Sequence, residues 1–298
     1  MFSVVIPLYN KAAFIARTIR CVQAQTWTDF EVLIVDDGST DGGGAVAQQA
    51  IQHDGRFRYQ YVANSGVSAA RNFGAEHTSR PWVVFLDADD EWFPDFLREV
   101  AFVVMGKEEA VLVSTNYLVR RGRNEAALDV PGGPVSECVP YFDWALSSGP
   151  PIWTSATVIS RRHFEAVGGF DRTLCMGEDI HLWVRLMPRG RFFFVHRPLA
   201  VYDRSDADSL SMTVSDKAVT SRRALIRFLS GPGRDLAVPR AYVHEICKIH
   251  FADLLRARRY REAAVLALSE PYFQWASGLT QLVRHLKQRA AAFHHVLP

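Results

Sequence analysis

The chain has few cysteines, almost no net charge and no uninterrupted apolar run long enough to cross a bilayer. Its four cysteines, Cys21, Cys138, Cys175 and Cys247, are scattered through 298 residues without paired spacing. That pattern excludes a zinc ribbon and a secreted disulfide framework. A net charge of +2 leaves no electrostatic case for nucleic acid as a general partner. Residues 2–8 are apolar, but no basic segment precedes them and the run is too short for a signal peptide. The expectation is a cytoplasmic protein. What is present, 48% hydrophobic and 22% charged residues, is ordinary for a globular chain. The length suits one large domain or a domain with an appendage.

Hydrophobic periodicity alternates along the first half. Strand-like runs at 2–6, 30–35, 58–62 and 82–86 are separated by helical spacing at 11–25, 44–52 and 68–77. This rhythm predicts an α/β fold with a mostly parallel sheet and helices on both faces. Beyond residue 106 the spacing predicts strands at 110–119, 152–160 and 191–195 and helices at 161–167 and 177–187. Residues 120–136 read as a Gly/Pro/Arg excursion, and 198–213 as a polar, irregular lid. From about 214 onward the pattern is helical and Arg/Ala/Leu-rich, a C-terminal helical appendage of three or four helices.

Ligands of parallel sheets sit beyond the carboxyl ends of the strands, and three polar loops fall at that edge. Asp87-Ala88-Asp89-Asp90 follows a buried apolar run. On an extended segment Asp87 and Asp89 would point the same way, and like charges together call for a hard divalent cation. The alternative is an acidic turn opening the helix that starts near Pro94. Asp36 and Asp37 end the second strand, where a carboxylate can accept a hydrogen bond from a uracil imide. Asp41 reads as a helix cap. Tyr9 offers a face to a flat base or packs on its own loop, and Arg71 near a helix N-terminus suits anionic groups.

These segments together resemble the family-2 glycosyltransferases, nucleotide-sugar enzymes of the GT-A fold. The resemblance rests on Val-Val-Ile-Pro-Leu-Tyr-Asn at 4–10, Val-Asp-Asp-Gly-Ser-Thr-Asp at 35–41 and Gly-Val-Ser-Ala-Ala-Arg-Asn at 66–72. It continues with Phe-Leu-Asp-Ala-Asp-Asp at 85–90, Val-Gly-Gly-Phe-Asp at 167–171 and Gly-Glu-Asp-Ile-His-Leu-Trp-Val-Arg-Leu at 177–186. The set runs in family order over about 200 residues. It implies a GT-A domain over 1–212, with a nucleotide-binding part near 1–105 and an acceptor-binding part near 106–212, followed by helices over 213–298.

The resemblance implies roles for matching positions. Pro7, Tyr9, Asp36 and Asp37 would line a uridine pocket, and Asn64, Arg71 and Asp87 would help hold the nucleotide. Asp89 would bind Mn²⁺ or Mg²⁺. Asp179 would be the base of an inverting, metal-dependent transfer from a UDP-sugar to a hydroxyl acceptor, in surface polysaccharide or glycolipid synthesis. A base must take the acceptor proton, and a neighbouring carboxylate or partial burial raises a carboxylate's basicity. Glu178, on another helix face, would bind acceptor or order the site. Trp153 is the tryptophan best placed for a saccharide or lipid-linked acceptor. Many relatives carry a histidine after the last strand, where this chain has Ser205, and His196 lies upstream. The rivals are a metal-dependent nucleotidyltransferase and a non-catalytic nucleotide-sugar binder. Arginines at 256, 258, 259, 261 and 284, with Lys287, suit a solvated face, a homodimer contact or a peripheral membrane anchor.

Overall fold

A computed structural model describes residues 1–122, 124–127, 133–137, 142, 145–146, 151–204, 216–230, 238, 240–256 and 258–269. The chain divides into two compact units, Met1–Ser211 and Met212–Pro298.

The first unit is built on one sheet. Strand β1 (Phe2–Leu8) is buried along its whole length, as expected of a central strand covered on both faces. It pairs in parallel with β2 (Phe30–Asp37) and β4 (Trp82–Phe85), and β2 pairs in parallel with β3 (Phe57–Val62). The side chains of β1 alternate. Phe2, Val4, Ile6 and Leu8 enter a core with Ile15, Ile19 and Val22 of helix α1 (Ile15–Gln23). Val5 faces the opposite way, against Gly74 of helix α3 (Val67–Glu76). Helix α2 (Gly43–Ile51) links β2 to β3, and α4 (Phe96–Gly106) precedes β6 (Ala110–Arg121).

Beyond β4 the sheet becomes mixed. Its path is β3-β2-β1-β4-β9-β6-β10-β5, with β9 (Thr157–Ser160) antiparallel to both neighbours and β10 (Arg191–Asp203) parallel to β6. The short β5 (Glu91–Trp92) closes the path, antiparallel to β10. Helices α5 (Arg161–Ala166) and α6 (Glu178–Leu186) follow β9.

Several boundaries differ from the periodicity. Helix α1 begins at Ile15 because residues 10–12 are drawn toward the loop after β2. Asn10 takes a left-handed φ of 52° and donates its N–H to Ser39 Oγ, while the Ala12 N–H goes to Asp41 Oδ2. The predicted strand at 152–160 is reduced to β9, since the Trp153 carbonyl accepts from the Ala156 N–H and the Thr157 hydroxyl and curls the chain into a 3₁₀ turn. The expected excursion at 120–136 contains β7 (Asn124–Ala127), folded back on β6 around Gly122 at a φ of 62°, and β8 (Val135–Glu137), paired with β10. The expected lid at 198–213 starts as strand. Residues 198–203 continue β10, and a register shift near Pro198 absorbs the proline that broke the pattern. Residues 205–213 lie outside the described residues.

The second unit contains α7 (Asp216–Ser230), α8 (Arg240–Arg256) and α9 (Tyr260–Ser269) among the described residues. Leu225, Ile226, Leu229, Val243, Cys247, Phe251, Leu254 and Leu266 are buried there. Arg256, which is exposed, pairs with the buried Asp253, and Arg259 pairs with Glu262, both at helical spacing. Arg284 and Lys287 lie outside the described residues. No helix among the described residues is long and apolar enough to cross a membrane.

Candidate functional site

The parallel register brings Leu8, Asp36 and Tyr61 to the same level, so the loops after β1, β2 and β3 leave the sheet at one rim. Hydrogen bonds then stitch these loops together. The Thr40 N–H donates to Asn10 Oδ1, and Asp41 ties the first N–H of α2 to the backbone of Ala12. Gly42, and not the expected Asp41, is the N-cap of α2; Asp41 lies one residue earlier and joins the two loops. Asp36 is 2% exposed, with Oδ1 accepting from the Ser39 N–H and Oδ2 from the Tyr59 hydroxyl. Asp37, expected to face a nucleotide, accepts the Ser65 and Gly66 N–H groups on its two oxygens, and Asn64 Nδ2 donates to the Asp37 carbonyl. Those two residues brace the loop leading into α3. Pro7 is buried where β4 has already ended, and the neighbouring Tyr9 is 51% exposed at the rim.

The acidic run is a turn and not an extended segment. Strand β4 stops at Phe85, and the Asp90 N–H closes onto the Asp87 carbonyl. Each carboxylate consequently finds its own partner. Asp87 Oδ1 accepts from Arg71 at 2.7 Å, Asp89 Oδ2 pairs with Lys11 Nζ at 2.6 Å, and buried Asp90 accepts from the Ser155 hydroxyl and the Asp203 N–H. Burial raises the Asp89 carboxyl above its ordinary value despite Lys11. Burial, with Asp89 and Asp87 beside it, raises Asp90 further. Thr18 Oγ1 donates to the Ala88 and Asp90 carbonyls, and Arg17 Nη2 to that of Asp89, so α1 pins the turn's backbone.

Arg71 is a buried clamp and not an open anion site. Its guanidinium bonds Asp87 on one side and Glu178 Oε1 at 2.9 Å on the other, which joins α3, the β4 turn and the start of α6. A buried guanidinium needs such paired carboxylates to offset its lost hydration. Its Nε finds no partner. Glu178 is thereby held by Arg71, and Asp179 follows it in the first turn of α6. Asp179 is half-buried, and its carboxyl is pushed up to about 7 by burial first and the Glu178 charge second. The Ile180 N–H donates to its Oδ1.

Trp153 stands between two aromatics. Its ring centroid lies 5.0 Å from that of Tyr117 and 4.7 Å from that of Tyr202. The Tyr117 hydroxyl is raised by burial, then by Tyr202 and by the charge of Asp179, which places this trio near the candidate base. By contrast Trp92 and Trp183 are buried core residues. His196 Nε2 bonds Ser136 Oγ of β8, and Ser205 lies outside the described residues.

Among the described residues no group of three or more His, Cys, Asp or Glu side chains could hold a metal ion. At the turn the donors are two carboxylates, each with one oxygen engaged by a cation. Hard oxygen donors of this number fit Mg²⁺ or Mn²⁺ shared with phosphate oxygens, and do not make a cage by themselves.

The pattern at 4–10 carried no reading for Lys11, which follows it directly. Tyr59, Ser155 and Tyr117 were also missed, because their contacts join distant segments and leave no local signal.

Residues 3–146 match the family described as glycosyl transferase family 2, and residues 82–297 match glycosyl transferase family group 2. The amylovoran biosynthesis glycosyltransferase AmsB of Erwinia amylovora is 29% identical over 210 residues, 67% of this chain and 69% of the relative. An uncharacterized glycosyltransferase of Rickettsia felis is 28% identical over 198 residues, 66% of this chain, and this chain spans only 32% of its length. Among solved structures, S. aureus TarS 1-349 in complex with UDP-GlcNAc superposes with a TM-score of 0.64 at 17% identity, over 98% of this chain and 83% of that one. A Pyrobaculum calidifontis mannosyltransferase in complex with GDP-Man and Mn²⁺ gives 0.58 at 20% identity, over 96% and 86%. With these matches and a GT-A arrangement of sheet and helices, the chain belongs to glycosyltransferase family 2.

Proposed function

We propose that the protein transfers a sugar from a nucleotide donor, UDP-linked, to a hydroxyl acceptor with inversion. One observation carries this reading: a carboxyl with its proton affinity near neutrality, Asp179, directly follows Glu178, which the Arg71 clamp joins to Asp87 of the acidic turn. A group poised near the working pH is an efficient general base. Asp179 takes the acceptor O–H proton as the acceptor oxygen bonds the anomeric carbon. The bond from that carbon to the donor phosphate oxygen breaks, and the nucleoside diphosphate leaves with the electron pair. Attack from the side opposite the leaving group inverts the centre.

Asp89, with Asp87 beside it, would hold Mn²⁺ or Mg²⁺, which supplies positive charge to the departing diphosphate. Tyr9 serves the nucleobase and Trp153 the acceptor, with residues 1–105 as the donor half; Asp36, expected to meet the nucleobase, instead holds its loop through Ser39 and Tyr59. UDP-GlcNAc in the TarS complex and Mn²⁺ in the mannosyltransferase complex support the donor and the ion. Amylovoran biosynthesis by a relative supports a polysaccharide setting. The C-terminal helices are the proposed contact for a second copy or a membrane surface. The test is Asp179→Asn. It is expected to keep UDP affinity in calorimetry and to lose about 10²–10⁴-fold in transfer rate. Near-normal turnover would exclude Asp179 as the base.

A further inference from the structure

Lys11 sits directly after the loop that the left-handed Asn10 turns toward the β2 loop. Its ammonium reaches across to Asp89 Oδ2 at 2.6 Å, with the lysine side chain 20% exposed and the carboxylate 15%. The ammonium also lies 5.7 Å from the centroid of the Phe14 ring. Arg17 and Thr18 hold the backbone of the acidic turn by its carbonyls, so Asp89 is fixed. Lysine carries its charge on a four-carbon stem with rotatable bonds. Each acid of the turn already has a separate partner: Arg71 for Asp87, Lys11 for Asp89, and the Ser155 hydroxyl with the Asp203 N–H for Asp90. The fold therefore balances Asp87 and Asp89 with side-chain cations and Asp90 with neutral hydrogen-bond donors.

We propose that Lys11 is a built-in counter-ion on Asp89 that competes with a divalent cation for that carboxylate. The inference rests on the reading above that Asp89 holds such an ion. A cation arriving at Asp89 must displace the ammonium or share the carboxylate with it. At a separation of a few ångströms in a half-buried site, two like charges oppose one another strongly. Arg71 cannot play this part, because it is buried between two carboxylates. Lys11 is thus a residue that sets how much free metal the protein requires. It is not itself a group that touches the reacting bond.

The experiment is a titration with Mn²⁺ alone, free ion being read by electron paramagnetic resonance, on the wild type, Lys11→Met, Lys11→Arg and the double variant Lys11→Met/Asp89→Asn. Lys11→Met is expected to tighten Mn²⁺ binding by about tenfold or more, a free-energy change within the range of a half-buried ion pair. Lys11→Arg, which keeps the charge, is expected to stay near wild type, and the double variant to lose the gain. Equal or weaker Mn²⁺ affinity in Lys11→Met would overturn the inference, as would an equal gain in Lys11→Arg. Calorimetry with UDP on the same samples reads the donor assignment separately. Retained UDP binding with unchanged Mn²⁺ affinity removes only the role of Lys11.

Discussion

At the scale of single residues, the site is governed by which partner each carboxylate obtains. Asp37 and Asp179 are the same side chain with opposite surroundings. Asp37 receives the Ser65 and Gly66 N–H groups on its two oxygens, whereas Asp179 faces the charge of Glu178 in a half-buried place. The raised proton affinity of Asp179 sets the direction of a pH dependence. Below about 7 the proposed base is protonated and idle, and above it the carboxylate is free to accept a proton. Turnover at saturating donor is therefore expected to rise through an acid limb centred near that value. A rate profile already flat from pH 5 upward would contradict it. Because Glu178 is adjacent, the limb reports the pair and not one isolated carboxyl.

At the scale of elements, the rim exists because α3 packs tightly enough on β1 to bring Arg71 under the acidic turn. Gly74 makes that approach possible. A Cβ placed there would lie 2.2 Å from Val5 Cγ1, on a strand hydrogen-bonded to neighbours on both sides. Gly74→Ala gains about 1 kcal/mol in helix propensity. Overpacking of a core costs about 1–3 kcal/mol, and the rigid central strand leaves little room to relax. The expected outcome is a net loss of about 1 kcal/mol or more in denaturant unfolding, with weaker nucleotide binding as Arg71 shifts. A more stable variant would show that the helix can lift without cost. Elements such as β1, β2, β4 and α3 were legible because their apolar runs are continuous or strictly periodic. The shortened α1, the 3₁₀ turn after Trp153 and the extension of β10 past Pro198 were not. Each is decided by hydrogen bonds to a distant loop or strand, which periodicity does not register.

At the scale of the whole molecule, the proposed catalytic arrangement and folding stability pull in opposite directions. Asp179 binds its proton more tightly in the fold, at about 7, than in the unfolded chain, where its ordinary value is 3.8. The folded state then holds more protons between these values, so this group's contribution to stability falls as pH rises from about 4 to 7. Asp179→Asn removes that loss. The variant is expected to melt at a higher temperature than the wild type at pH 8, with the gap closing below pH 4. Thermal unfolding followed by circular dichroism at both pH values checks it. A variant equally or less stable at pH 8 would mean that the charge of Asp179 is not strained by its surroundings.

The sequence alone determined the alternation of strands and helices and the edge at which the polar, acidic loops gather. Those properties follow from local periodicity and from the order of short patterns, which a linear chain displays directly. Only the tertiary structure decided the partnerships: Arg71 between Asp87 and Glu178, Lys11 on Asp89, and Trp153 between Tyr117 and Tyr202. Charge pairing and aromatic packing depend on distances of a few ångströms between segments far apart in the chain. Those distances come into being only when the sheet forms.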